Sequence, residues 1–258
     1  MFIPDQWEDS FDTRAIPNEP MSCGREVPSG ATYCQYHEDL RSNEDVDITP
    51  EQAFESLLNE EGDVFGARFQ LVELDDIDID GDKVRLKNVV ISSRFRINRL
   101  KSNAQIRFTN SVFDEVDFRD TTLNERIEFV GCHIREQAAF RDIESTSKVQ
   151  FRGSTFDQYT RISGQFKEPM EIIRCTFSSG VLFRESFFRK GLNLKGSSVY
   201  KDTYVHDCDI NRTLSFRNSE VKRRIFISES DISNTNFNFD TSDPTLVLLH
   251  GTTLHDGV

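Results

Sequence analysis

The residues best suited to chemistry sit near the start of the chain, where Cys23, Cys34 and His37 fall within 15 residues. Thiolate and imidazole are good zinc ligands. Pro28 and Gly30, between the two cysteines, can turn the chain back on itself. A structural zinc site closes with four protein ligands. The fourth would have to come from Glu26, Glu38 or Asp39, from water, or from elsewhere in the chain. The alternative is a small knuckle of two reduced cysteines and a surface histidine without metal. Bound metal would explain how so acidic and apolar-poor a stretch folds. The rest of the sequence pairs no nucleophile with a base, forms no phosphate-cradling glycine loop and places no two carboxylates in a common register, so no catalytic residues are expected.

The elements that would position such a site follow from charge and pattern. The chain has 258 residues, 44 acids against 31 bases (net -13) and 22 Phe. Residues 1–85 hold 22 acids and 6 bases (net -16), and residues 86–258 hold 22 acids and 25 bases (net +3). The acidity therefore belongs to one end, and residues 1–20 read as a disordered acidic tail. An acidic surface argues against nucleic acid or an anionic membrane as partner. The longest apolar run is Leu246 to Leu249, far short of the roughly 18 residues a membrane span needs. The first residues carry acids where an export signal needs bases, and the cysteine count is odd, which together fit a reducing cytoplasm.

The strongest signal is an internal repeat. Large apolar residues recur at alternating steps of 5 and 6 through Ile172, Phe177, Phe183, Phe188, Leu194, Val199, Val205, Ile210, Phe216, Val221, Ile227 and Ile232. Two positions earlier stands either a second apolar residue, as in Val181-x-Phe183, or a small one: Cys175, Ser186, Ser197, Cys208, Ser219 and Ser230. No helical face has this period, and the i, i-2 pairs are the mark of an extended chain. The pattern predicts an all-β solenoid of short faces joined by tight corners, each coil stacking on the last at about 4.8 Å. Cys132, Cys175 and Cys208 then read as small buried residues. His133, His206, His250 and His255 read as isolated surface residues. Arg119, Arg141, Arg152, Arg184, Lys195 and Arg217 each follow a large residue and point outward. They form either a basic ladder or, as the near-neutral net charge favours, a solvated face neutralised by Asp142, Glu185 and Glu220.

The unit (small)-x-(large apolar)-x-x resembles the pentapeptide-repeat proteins over roughly Val64 to Phe239. That resemblance implies a right-handed quadrilateral β-helix over 64–239, with about 20–22 residues per coil here because every second unit carries an extra residue. A three-sheet β-helix of the pectate-lyase type has similar coils but does not explain the 5/6 alternation. The Cys/His element over 21–48, followed by a helix and coils, is similar to pentapeptide-repeat proteins of haloarchaea. Nine Lys against 22 Arg agree with that habitat.

Thr49 to Gly62 carries a helix signature, with Thr49 as N-cap, Pro50 at the first helical position and Gln52 completing a capping box. Ala53, Phe54, Leu57 and Leu58 lie on one face, suited to capping the first coil. The apolar stretch Thr245 to Leu254, within 240–258, is expected to cap the far end or to pair two copies into a homodimer. The function expected from all this is a rigid scaffold for a protein partner. The resemblance implies an alternative, a DNA mimic that modulates gyrase, but mimicry needs acids on the rod itself. A β-helix carbohydrate-active enzyme is the remaining class.

Overall fold

A computed structural model describes residues 62–237 and 246–255, together with Gln52, Phe54, Glu55, Leu58 and Phe239. Residues 1–48, which hold the acidic tail and the Cys/His element, lie outside the described residues. Among the described residues the chain is an all-β parallel solenoid of about eight turns. A residue typically lies beside the residue 22 positions on: Val84 beside Ile106, Thr176 beside Ser198, Val181 beside Thr203.

The strands stack in four ladders. The first runs through Gly62–Phe65, Lys83–Lys87, Gln105–Thr109, Ile127–Val130, Val149–Arg152, Met170–Ile173 and Leu192–Lys195. Two-residue strands such as His133–Ile134, Thr155–Phe156, Thr176–Phe177 and Ser198–Val199 build the second. The third and fourth are often carried by one long strand that bends at the corner between them, as in Val181–Phe188 and Thr203–Ser215. The segment read as a cap or dimerisation element contributes one more turn, Leu246–His250 and Thr253–Leu254.

The 5/6 alternation records two kinds of corner. In the later turns each step of five contains a residue with left-handed backbone, followed by the small inward residue: Arg174 before Cys175, Glu185 before Ser186, Gly196 before Ser197, Asp207 before Cys208. The left-handed kink takes the small residue's N–H out of the ladder, and the small residue of the next turn accepts it. Cys132 N–H donates to Ser154 Oγ at 3.1 Å, Cys175 N–H to Ser197 Oγ at 3.1 Å and Cys208 N–H to Ser230 Oγ at 3.1 Å. Each turn thus satisfies the corner of its neighbour, as buried backbone donors require. The steps of six cross the other two corners.

The interior is filled by the large residues. Phe108, Phe129 and Phe151 stack along the first ladder at 4.9 and 5.3 Å, Phe156 on Phe177 at 4.7 Å, and Phe166 on Phe188 at 5.0 Å. These separations approach the rise between turns, so each ring covers the next while its edges meet the other ladders. At the N-terminal end Phe54 and Leu58 are fully buried, with Phe54 edge-on to Phe69 and Phe95 at 5.2 and 5.1 Å. An apolar void of about 10 Å³ between Phe118, Phe129, Phe140 and Ile162 is too small for a ligand.

The register shifts at several corners, and one of them is unusually tight. From Ile162 to Phe166 the chain takes four steps where Phe183 to Phe188 takes five, and the register shifts between Ile162 and Gly164. The shortened corner presses Gly164 (φ +138°) onto the preceding turn, where a Cβ would stand 2.1 Å from the Ile143 carbonyl oxygen. Gly153 (φ +59°) has open space where its Cβ would be. We expect Gly164→Ala to destabilise the chain by about 3 kcal/mol or more, through backbone clash, and Gly153→Ala by only about 1 kcal/mol, the left-handed penalty alone. Urea denaturation of both variants checks the ordering, and equal losses would contradict it.

Candidate functional site

Cys23, Cys34 and His37, the expected metal ligands, lie outside the described residues. Of the other cysteines, Cys132, Cys175 and Cys208 occupy the small inward position and are buried. They replace serine as acceptors in the corner relay, receiving the N–H groups of Ser111, Ser154 and Ser186 respectively. Burial pushes each thiol up to about 12, so all three are inert as nucleophiles near neutral pH.

The histidines are less isolated than expected. His133 Nε2 lies 2.6 Å from Asp157 and His255 Nε2 lies 2.7 Å from Asp231, while His206 Nδ1 meets Ser228 Oγ at 3.0 Å. Residues about 22 apart become neighbours one turn away, a proximity no short motif reveals. The His206–Ser228 pair stands in an outward row with Arg184 and His250, and among the described residues no carboxylate orients the imidazole. Nucleophilic catalysis needs that third group and an oxyanion site.

The outward face of the third ladder changes character along its length. One continuous row reads Glu73, Arg96, Asp117, Ala139, Arg161, Leu182, Tyr204, Phe226 and Leu248. In the first turns it is an ionic lattice. Arg94 lies 3.4 Å from Glu73 and 2.9 Å from Glu115, and Asp117 accepts Arg119 and Arg141, each at 2.8 Å. Asp117 is only 1% exposed. Burial acts to raise its carboxyl pKa, but the guanidinium hydrogen bonds from Arg119 and Arg141, and their charge, outweigh it and hold the group below the usual carboxylate value. In the later turns the same row is apolar and aromatic: Tyr204 stacks on Phe226 at 5.0 Å, with the Arg224 guanidinium 4.8 Å over Phe226.

The six outward cations separate into two groups. Arg119 and Arg141 are neutralised, by Asp117 rather than by Asp142, and Arg184 pairs with its neighbour Glu185 at 2.7 Å. Glu220 is taken by Lys222. Arg152, Lys195 and Arg217 make no ion pair among the described residues. Sequence spacing finds the cations, but the choice of partner depends on the register between turns.

Comparison with protein-family models, with curated proteins and with solved structures finds no match to this chain. The surface rows therefore carry the functional argument alone.

The Asp117 cluster makes stability depend on pH. A carboxylate whose pKa is depressed on folding contributes stability above its unfolded value, near 4, and loses that contribution as pH falls through the folded value. Arg96 also lies 3.5 Å from Asp117, so we expect Asp117→Ala to cost about 2 kcal/mol at pH 7, since Arg96, Arg119 and Arg141 lose their shared acceptor, and the difference to shrink below about pH 4. Urea titrations of both chains across that range measure it. A pH-independent difference would show that packing, not charge, holds the cluster.

Proposed function

We propose that the chain is a rigid protein-binding scaffold of the pentapeptide-repeat type, working in the cytoplasm. In this reading the solenoid is the right-handed quadrilateral form, 49–62 is its capping helix and 21–48 a knuckle held by structural zinc. What supports the repeat type is the pairing of one small and one large inward residue at the corners of the later turns, as in Cys175-x-Phe177, Ser186-x-Phe188 and Ser197-x-Val199. The donor set Cys23, Cys34 and His37 suits zinc by chemistry, and the metal would fold the knuckle rather than react. Elemental analysis should find about one zinc per chain, lost in C23A/C34A without loss of the solenoid's β signal. Equal metal content in both proteins would remove the knuckle from the proposal.

The observation that carries the scaffold reading is the C-terminal turn. Leu246 is 53% exposed, Leu249 50%, Leu254 39% and Leu248 37%, although this is the most apolar stretch of the chain. Leu246–His250 pairs with Arg224–Ser228 on one side only, and among the described residues no strand covers its other edge. An open parallel edge beside exposed leucines is a template for another chain. The apolar row Leu182, Tyr204, Phe226 and Leu248 runs up to that edge. A second copy, meeting this one end to end, would cover both.

DNA mimicry is less well supported, because acids such as Glu73, Glu115, Asp117 and Glu128 are drawn into ion pairs with arginine. A carbohydrate-active enzyme would need its acids clustered and unpaired in one concave sheet.

Light scattering tests the paired end. The full chain is expected at twice the monomer mass, and L246E/L248E at the monomer mass with an unchanged Tm, since both leucines are exposed. A full chain that stays monomeric at every concentration, or a variant that stays dimeric, would overturn end-to-end pairing.

A further inference from the structure

A second surface lies along the corner between the first and second ladders. At this corner each left-handed residue donates its N–H to a carbonyl one turn on: Gly131 to Arg152, Gly153 to Ile173, Arg174 to Lys195 and Gly196 to Arg217. Arg152, Ile173, Lys195 and Arg217 are therefore equivalent positions in four successive turns, and Arg174 sits beside Ile173. Arg152, Arg174, Lys195 and Arg217 are all exposed, and none of the four makes an ion pair among the described residues. The adjacent acids are already engaged. Glu171 accepts Gln150 at 2.6 Å and Lys148 at 3.1 Å, and Glu220 holds Lys222.

Arg174 gives the row a second signature. The left-handed position at this corner is Gly66, Asn88, Asn110, Gly131, Gly153, Gly196 and Asn218 in the other turns, the residues that tolerate positive φ best. Arg174 holds φ 53° there, and no partner among the described residues repays it. Backbone strain of this kind collects at functional positions. Its Cγ passes 3.6 Å from where a Gly196 Cβ would stand, an ordinary contact distance, so the Arg174 stem runs beside the corner of the next turn. Thr155, Thr176 and Ser198, in register on the second ladder, line its flank with hydroxyls.

We propose that Arg152, Arg174, Lys195 and Arg217 form a docking row for an extended acidic segment of a protein partner. This rests on the scaffold reading and names the partner's chemistry. Four cations spread over about 14 Å, three turns of rise, match a short run of Asp and Glu with hydroxyls to share its carboxylate oxygens. A nucleic acid fits less well. Tight phosphate-backbone binding draws on about six to ten contacts, more than the four cations of this row supply.

The test is fluorescence anisotropy of the full chain with a labelled peptide of about 20 glutamates, at about 50 and about 500 mM salt, with duplex DNA as competitor. The wild type is expected to bind and to weaken at least about tenfold at the higher salt. R152E/R217E should weaken binding at least about tenfold with an unchanged Tm, as expected for exposed charges. R174G should weaken it about threefold while its Tm holds or rises, because glycine relieves the left-handed strain. A purely structural Arg174 would not separate binding from stability in this way. Absence of peptide binding, wild-type affinity in both variants, or tighter binding of the duplex would overturn the proposal. If the row fails while the full chain still dimerises, only the acidic partner is lost. A monomer that binds the peptide loses only the paired end.

Discussion

Every turn of this molecule must leave its backbone groups paired with the turns before and after it, and the left-handed corner is where that requirement is hardest to meet. The kink bends the chain sharply enough to start a new ladder, but it turns an inward N–H away from the regular strand pairing. A small side chain with an acceptor, one turn on, solves both problems: it fits the tight interior and takes the stray N–H. Serine does this with Oγ and also donates onward, as Ser154 does to the Phe129 carbonyl at 3.1 Å and Ser197 to the Ile172 carbonyl at 3.2 Å. Cysteine does it with sulfur, a weaker acceptor. The relay explains why Ser or Cys holds the small position in the later turns, where Ala67, Ile77, Val89, Leu100 and Ile143 hold it in earlier ones. It also makes each turn's stability conditional on its neighbour, as in other stacked-repeat folds.

The interior was legible because its spacing is local. A large residue two places after a small one, recurring at five and six, can be read without knowing what lies beside what. The same reading placed Cys132, Cys175 and Cys208 inside, and they are buried. The surface was not legible in this way. Arg141 reaches Asp117, 24 residues earlier, although Asp142 is its neighbour in sequence. Partners lie 22 residues apart in one turn and 21 in another, as Phe140 beside Ile162 and Ile162 beside Phe183 show, so no fixed period gives the outward pairs. Sequence reading supplied the cations and the acids but not their matching, and the matching decides which charges stay available. The apolar outward row was likewise in view, as the middle residue of Val181-x-Phe183 and Ile225-x-Ile227, but only stacking makes Leu182, Tyr204, Phe226 and Leu248 one strip.

A solenoid has no single concavity on which to concentrate polar groups. Its convex faces offer rows instead, one residue per turn, and each row can specialise by changing one residue type in each repeat at little cost to the core. The third ladder shows how sharply this can happen: one row passes from a charge lattice to an aromatic strip within a few turns. The charged part needs no partner, because its ions satisfy one another. The aromatic part is covered only where Tyr204 and Phe226 meet, and it ends at leucines that nothing among the described residues covers.

Spacing of like charges separates the two cationic patterns. Unit charges stacked on adjacent turns, about 4.8 Å apart, repel by about 1 kcal/mol in water and more near a protein surface. The third ladder avoids this by alternating sign, Glu73, Arg96, Asp117, so its charges are spent on each other. The corner row avoids part of it by placing uncharged Ile173 between Arg152 and Lys195 and carrying the intervening charge on the offset Arg174. It keeps one sign throughout, and only Lys195 and Arg217 hold equivalent positions on adjacent turns. A row that tolerates such repulsion, with a strained arginine at its centre, is most stable when an opposite charge from outside lies along it.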